Sequence, residues 1–220
     1  MPSSAAHTRP AAAGRKRGNM FTKWTRKEAA RFFICFAVFF ALVLLTQLPG
    51  FLSPLYWALF PILSAFAAAG PLTCVMDMKR GFGSTAVIPL LWLIVYKCIG
   101  EFSISLMWIW IVALLVIGEI VRRAIGYERP AGIRVCVPIM SLVPMGYLIP
   151  MFFTKASFLE AAVAELDPAY VAGLDRYGTK GMFVIVLVLS VVTAVISERI
   201  SEKIIHGRAI EGGNAYVHEG

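Results

Sequence analysis

The sequence predicts an all-α membrane protein, a six-transmembrane-helix bundle with both termini in the cytoplasm. Three observations lead to this fold class: the composition, six long apolar segments, and an alternation of basic residues between the connecting loops. Hydrophobic residues make up 59% of the 220 positions and charged residues only 15%. Soluble domains have about 45–50% apolar and about 25% charged residues. The composition therefore argues against a soluble enzyme, a disordered chain and a secreted disulfide scaffold.

Each apolar segment has the length of a membrane span, since roughly 20 apolar residues cross the hydrocarbon core as a helix. The segments cover residues 31–48, 54–76, 84–100, 104–121, 133–153 and 180–197. The fifth contains Pro138, Pro144 and Pro150. Proline frees a backbone carbonyl one turn upstream, so we expect this segment to be kinked or broken.

The orientation follows from the lysines and arginines. Of the 21, we place 17 in the N-terminal tail, the C-terminal end and two alternate loops, 3 on the opposite side, and Lys97 within the third span. Cytoplasmic loops carry the basic excess, so both termini are predicted to be cytoplasmic. Residues 1–28 read as a disordered basic cytoplasmic tail, 29–206 as the six-helix membrane domain, and 207–220 as a flexible cytoplasmic tail.

The segment between spans five and six, residues 154–179, differs from the other loops. Apolar residues alternate with Glu160 and Glu165 in an amphipathic helical pattern. Asp167 and Pro168 then form a helix N-cap followed by proline at the first helical position. Gly178 is expected to end that second helix. The sequence therefore predicts a short extracytoplasmic helical segment, which either covers a ligand or is a plain surface loop.

No residue pattern typical of catalysis occurs in the sequence. There is no glycine-rich phosphate loop and no His-Glu-x-x-His motif. The three histidines, His7, His206 and His218, lie in the tails, and the four cysteines are far apart. We therefore expect no catalytic residue, no bound metal and no cofactor, and interpret the chain as a protein that is not an enzyme.

Charged residues inside spans are costly and indicate functional sites by default. Lys97 and Glu101 are four residues apart, so they share one helix face near the outer end of span three. They either pair with each other at the interface or face a ligand cavity. Glu119 lies near the inner end of span four, where we expect it to pair with Arg122 and Arg123.

Small and aromatic residues form two further patterns. Ala37 and Ala41 lie on one stripe of span one, and such stripes mark close helix contacts, either within the chain or with a partner subunit. Aromatic residues crowd the outer ends of the spans, Trp108 and Tyr147 among them. They are either interfacial belt residues or the walls of an outward-facing apolar pocket.

Several strings together resemble the Trep_Strep family of integral membrane proteins. They are Gly70-Pro71, Asp77-Met78-Lys79-Arg80-Gly81, Gly100, and Tyr147-Leu148-Ile149-Pro150-Met151-Phe152-Phe153 followed by Lys155, Ala156 and Phe158-Leu159-Glu160. The pattern continues through Tyr170-Val171 to Glu202-Lys203, so the resemblance covers residues 28–210. That family is classed among the substrate-binding (S) components of energy-coupling factor (ECF) transporters.

The resemblance implies a plasma-membrane protein without enzymatic activity that binds a small molecule, such as a vitamin, near its outer face. It implies as partners a transmembrane T component and two cytoplasmic ATPases. The first helix of such proteins docks on the T component through small residues, which match Ala37 and Ala41 here. Lys97, Glu101, Tyr147 and Trp108 match the location of the substrate pocket.

Two other functions remain open at this level. In the first, the loop with Arg122, Arg123, Arg129 and Arg134 holds lipid phosphates for a membrane enzyme, although no acid–base pair or metal cluster accompanies it. In the second, the chain is a secondary transporter working alone, which normally shows two related halves. No repeat is visible across the six spans.

Overall fold

The computed structural model describes the backbone of residues 25–78, 81–99 and 105–215, and their side chains except at 96, 97, 99, 105 and 206–215. Within these ranges the regular elements are nine α-helices and two short 3-10 helices. The α-helices are α1 (Arg26–Gln47), α2 (Pro54–Met78), α3 (Val87–Ile99), α4 (Ser105–Ile125), α5 (Pro130–Met140), α6 (Ile149–Phe153), α7 (Lys155–Val163), α8 (Pro168–Tyr177) and α9 (Lys180–Ala215). The 3-10 helices are Leu48–Leu52 and Val143–Leu148.

Helix α1 begins at a capping box. The backbone N–H of Glu28 donates to the Thr25 hydroxyl at 3.2 Å, and the Thr25 N–H donates to the Glu28 carboxylate at 2.8 Å. These bonds satisfy donors that the first helical turn leaves unpaired. At its other end α1 passes into the 3-10 helix that contains Pro49, which turns the chain into α2.

Helix α2 is the centre of the bundle, and α1, α5, α8 and α9 all pack against it. Its contact surface includes several small residues, with Ala58, Ala65, Ala68 and Ala69 fully buried. Small side chains let helix backbones approach closely, which is how helices associate in lipid. Gly70 shows the effect: a Cβ atom there would lie 3.3 Å from the Ser201 hydroxyl of α9.

The fifth apolar segment is broken, as its prolines predict. It consists of α5, the 3-10 helix Val143–Leu148 and α6. Polar side chains satisfy the carbonyls near the break: the Ser141 hydroxyl donates to Val137 O at 2.8 Å, and the Trp110 indole N–H donates to Leu142 O at 3.0 Å. Such local partners allow irregular backbone at membrane depth.

All six apolar segments form helices, and four helical stretches are long and apolar enough to cross a membrane. They are Arg26–Leu52, Pro54–Met78, Pro130–Phe153 and Lys180–Ile205. The described part of α3 has 13 residues, about 20 Å of helix against a hydrocarbon core of about 30 Å. Helix α4 carries Glu119, Arg122 and Arg123 in its last turns. The predicted count of six spans therefore stays a prediction.

Burial divides the four stretches into central and peripheral helices. Within the most apolar part of each, 83% of Pro130–Phe153 is buried, against 17% of Arg26–Leu52 and 28% of Lys180–Ile205. Outward-facing residues on α1 and α9 are large and apolar, for example Phe33, Leu45 and Val188. Helices that present such surfaces are suited to contact with lipid or with a partner helix.

Candidate functional sites at the two ends of the bundle

The two ends of the bundle differ in composition, and each has a name below. The cap end is the end covered by α7 and α8, where α2 and α9 begin. The charged end is the opposite one, where Glu119, Arg122 and Glu198 lie. The position and number of the short helices at the cap end confirm the sequence prediction: Asp167 caps α8 by accepting the Ala169 N–H at 2.8 Å, and the helix ends at Gly178.

Helix α8 is fastened to the turn between α1 and α2. The Tyr170 hydroxyl donates to the carbonyl oxygen of Gly50, and burial raises the pKa of Tyr170. Three residues later, Gly173 packs so closely on Pro54 that a Cβ atom would lie 2.5 Å from its ring. The Lys155 ammonium joins α7 to α8 through the Asp175 carboxylate and backbone carbonyl, both at 2.6 Å. These contacts hold α7 and α8 over the bundle as a cap.

An aromatic cluster lies beneath the cap. Its buried members include Phe60, Leu148, Met151, Phe152 and Leu174. Partly buried aromatic residues surround them: Trp57, Tyr147, Phe158, Tyr170, Tyr177 and Phe183. The rings of Trp57 and Tyr147 meet edge to face, with centroids 5.5 Å apart.

The predicted substrate residues have different positions. Tyr147 belongs to the aromatic cluster, whereas Trp108 is half-buried against the main core formed by the other helices. Lys97 lies in the last turn of α3, and its side chain is outside the described residues, as is all of Glu101. Sequence reasoning missed Tyr170 as a contact of the α1–α2 turn, because 120 residues separate it from Gly50.

The predicted docking residues Ala37 and Ala41 are both exposed on α1. The buried residues of this helix, Phe32, Phe39 and Val43, lie on another face. The small-residue stripe therefore does not contact α2 and is available to lipid or another chain.

At the charged end, Glu119 binds two connecting segments rather than the arginines we expected it to pair with. It accepts hydrogen bonds from the hydroxyls of Thr85 and Tyr127, both at 2.5 Å, and from the Gly83 N–H at 3.4 Å. Gly83 has a φ of 80°, which favours glycine in this tight turn. Burial and the bond to Glu119 raise the pKa of Tyr127 to about 12. The carboxylate thus joins the α2–α3 and α4–α5 connections.

Arg122 is completely buried at the same end. Its Nη2 atom donates to Tyr127 O at 3.0 Å and to Met76 O at 3.4 Å. Its Nη1 atom packs on Gly132, where a Cβ atom would approach within 3.0 Å. The guanidinium therefore connects the ends of α2 and α4 to the start of α5.

A second group of charges lies between α2, α5 and α9. Arg134 of α5 binds Glu202 of α9 with three N–O contacts of 2.6–3.0 Å. Glu198, one turn earlier, is 1% exposed. The i,i+4 spacing of these two glutamates indicates from the sequence that they share one face of α9. It does not indicate their neighbours on α2 and α5, which are remote in the chain.

The described residues contain no three side chains of His, Cys, Asp and Glu that converge to hold a metal ion. The four cysteines are free thiols. The arrangement offers an aromatic cluster at one end and buried charges at the other.

Comparison with known proteins gives one family. Residues 27–206 match the family described as "Hypothetical bacterial integral membrane protein (Trep_Strep)". Searches of the curated proteins and of the solved structures find no significant match. Because the match covers most of the chain and agrees with the apolar helical bundle, the protein belongs to the Trep_Strep family of bacterial integral membrane proteins.

Proposed function

We propose that this protein is the membrane-embedded substrate-binding subunit (S component) of an ATP-driven ECF-type importer for a micronutrient such as a vitamin. In this proposal the chain crosses the plasma membrane six times, has both termini in the cytoplasm and catalyses no reaction itself. The observation that carries the proposal is the cap, because two helices close over an aromatic cluster at one end of an apolar bundle.

The cap end has the chemistry of a small-molecule site. Ligand pockets are lined mainly by apolar and aromatic side chains, with a few polar groups that fix orientation. Trp57 and Tyr147 contribute an indole ring and a phenol ring to this cluster. Helix α3 begins near the turn at Gly83, at the charged end, and Lys97 lies in its last turn, at the other end of the helix. We propose Lys97 and Glu101 as the charged groups of this site.

The exposed stripe on α1 supports docking on a T component. Ala37 and Ala41 leave a shallow path along the helix that is least buried in the bundle. A partner helix gains van der Waals contact by approaching such a path closely. The two ATPases then supply energy from the cytoplasmic side, which we identify with the charged end.

A membrane enzyme acting on lipid phosphates is the alternative, and two of its four arginines favour it less. An enzyme acting on lipid phosphates would need the arginines of the α4–α5 connection at the surface. Arg122 is instead inside the bundle and bonded to two carbonyls, and Arg134 is engaged with Glu202.

Ligand occupancy tests the proposal. The full chain is extracted from its native membranes in mild detergent, and bound small molecules are released and identified by mass spectrometry. We expect a stoichiometric ligand in the wild type, and a loss in Tyr147→Ala and Lys97→Ala without loss of folded protein. Val188→Ala, on the exposed face of α9, is the matched control and retains the ligand. Equal occupancy in all variants would place the ligand elsewhere and contradict the site.

A further inference from the structure

Glu198 is a buried carboxyl group at the charged end, where α9 packs against α2 and α5. Its side chain is 1% exposed, and neither carboxylate oxygen has a hydrogen-bond partner in the described part of the chain. An ionised carboxylate is costly to remove from water unless hydrogen-bond donors or a cation compensate it. The surroundings of Glu198 therefore decide which form of the group is stable in the folded protein.

The space beside Glu198 is apolar. A cavity of about 10 Å³ lies between α2, α5 and α9, and Ile133 and Ile205 are among the residues that line it. The surface that faces this cavity is almost entirely apolar. The hydroxyl of Thr73, which also lines it, donates to Ala69 O at 2.8 Å and so gives no proton to Glu198. An apolar cavity of this size does not solvate an ionised carboxylate.

The adjacent arginine compensates a charge on Glu198 poorly. Arg199 Nε is 3.6 Å from Oε2 of Glu198, which is too far for a hydrogen bond. Adjacent residues on a helix do not face each other, and the Arg199 side chain is 52% exposed, so water screens its charge. Its Nη1 atom lies at the same distance, 3.6 Å, from the Glu202 carboxylate. The guanidinium is therefore shared between two glutamates and hydrogen-bonded to neither.

The other charged groups around Glu198 interact with other residues. Arg134, from α5, donates to both carboxylate oxygens of Glu202 at 3.0 Å. Glu202 lies one turn beyond Glu198 on α9, so its negative charge disfavours a second one there. Asp77, from α2, lines the same cavity and has an interaction partner of its own. Loss of a proton from Glu198 would therefore place a second negative charge beside Glu202 without a hydrogen-bond donor for it.

We propose that Glu198 is a proton-binding site, at which the packed bundle holds a neutral carboxylic acid at pH 7. Removal from water disfavours the charged form of a carboxyl group, and a nearby negative charge does the same. Ionisation requires water to reach the group, which separation of α9 from α2 and α5 provides. The contact between these helices therefore depends on pH. The site is independent of the import function proposed above, because it lies at the charged end rather than beneath the cap.

Thermal unfolding of the detergent-purified full chain at different pH values tests the proposal. An unfolded glutamate has a pKa of about 4.3, so above pH 5 the unfolded chain has lost this proton while the folded chain keeps it. The stability that the proton contributes is therefore complete below about pH 4 and is lost as the pH rises. Between pH 5 and pH 7.5 we expect the wild-type Tm to fall by about 5 °C relative to that of Glu198→Gln. Glu160→Gln, exposed on α7, is the matched control and follows the wild type.

Infrared spectroscopy detects the proton independently of stability. At pH 7 we expect the C=O stretching band of a carboxylic acid in the wild type and in Glu160→Gln, and its loss in Glu198→Gln. Glu198→Met covers the case in which Glu198→Gln does not fold, because an apolar side chain of similar length suits the apolar cavity. The proposal is overturned if the wild type lacks the band, if a Glu198 variant retains it, or if the Tm of the wild type and of the variant change in parallel with pH. Failure of both variants to fold also overturns it, because both are neutral at this position.

Discussion

The cap end and the charged end hold their helices together by different interactions. At the cap end the contacts are ring packing, one tyrosine hydroxyl bond to a turn, and an exposed ion pair between Lys155 and Asp175. At the charged end, Glu119 and Arg122 make buried and partly buried hydrogen bonds across four chain segments. Exposed ion pairs add about 0–1 kcal/mol, whereas breaking a buried charged network costs about 3–5 kcal/mol.

This difference indicates which end of the bundle opens more easily. Local openings occur first in regions with few buried apolar contacts, and ligand-binding elements are commonly found there. Helix α7 of the cap has no buried residue. We therefore expect the cap to open while the charged end stays closed. The variants below are arranged from the largest expected effect to the smallest.

Arg122→Ala is expected to have the largest effect on stability. It removes the donor to Tyr127 O and Met76 O and leaves a cavity, which together cost about 3 kcal/mol or more. Unfolding of the detergent-purified protein by heat or denaturant measures the loss. Arg123→Ala, at the exposed neighbouring position, is the control and changes stability by about 0.5 kcal/mol at most. Similar losses of stability in both variants would show that the hydrogen bonds of Arg122 do not stabilise the charged end.

Gly173→Leu tests the cap. The added side chain meets the Pro54 ring, which cannot rotate away, so α8 is pushed from the α1–α2 turn at a cost of about 1–3 kcal/mol. We expect faster proteolysis of residues 154–179 and weaker ligand retention, with global unfolding less affected than in Arg122→Ala. Gly181→Ala is the control, because its Cβ reaches only Thr179 Oγ1 at 4.0 Å. Unchanged proteolysis would mean that the contact with Pro54 does not hold the cap.

Glu119→Gln tests the hydrogen bonds between the two connections. The amide retains one acceptor oxygen but loses the charge, so we expect a loss of about 1–2 kcal/mol in unfolding free energy. Glu165→Gln, exposed beyond the end of α7, serves as the control. A variant as stable as the wild type would argue that the two short bonds contribute nothing measurable.

The same bonds predict a pH dependence. Tyr127 has a folded-state pKa of about 12, and about 10 when unfolded. The folded state therefore holds this proton more tightly, and its contribution is complete below pH 10 and is lost as the pH rises toward 12. Subtracting the pH–stability curve of Tyr127→Phe isolates the effect. A difference that stays flat between pH 10 and 12 would contradict the assignment.

Ala37→Leu and Ala41→Leu are expected to have the smallest effect on the isolated protein. Both positions are exposed, so stability changes by about 0.5 kcal/mol or less. Assembly with a T component is expected to fall sharply, because the added bulk blocks close helix approach. Val116→Leu, exposed on α4, is the matched control and leaves assembly intact. Loss of folding in the alanine variants would show that the stripe packs within the chain.

Local patterns in the sequence predicted much of the fold. The three prolines of the fifth segment predicted its break, and Asp167 with Pro168 predicted the start of α8. Both signals are local, because a helix cap or a proline acts on the backbone next to it. Periodicity and apolar length located all six helical segments. Their number as membrane spans stays a prediction, since the described part of α3 has 13 residues and α4 ends in charges.

Local sequence patterns did not predict the polar contacts. Glu119 was expected to bind arginines one turn away, yet its partners include Thr85, which is 34 residues distant. The expectation from i,i+3 and i,i+4 spacing failed because the buried Arg122 side chain donates to backbone carbonyls. The Glu119 carboxylate instead accepts hydrogen bonds from the two connecting segments. Glu198 and Thr73 likewise line one cavity through the packing of α9 on α2. For the candidate ligand site, the sequence identified Tyr147 but not the contact of Tyr170 with Gly50.

Co-purification tests the central claim, that this protein is the substrate-binding subunit of an importer, most directly. The full chain is captured from its native membranes in mild detergent, beside Ala41→Leu and Val116→Leu, and the bound proteins are identified by mass spectrometry. We predict a stoichiometric T component and two ATPases with the wild type and Val116→Leu, and their loss with Ala41→Leu. Recovery of the wild-type chain alone, together with gradient-driven uptake by that chain in liposomes without ATPases, would contradict the account and identify a transporter that works by itself.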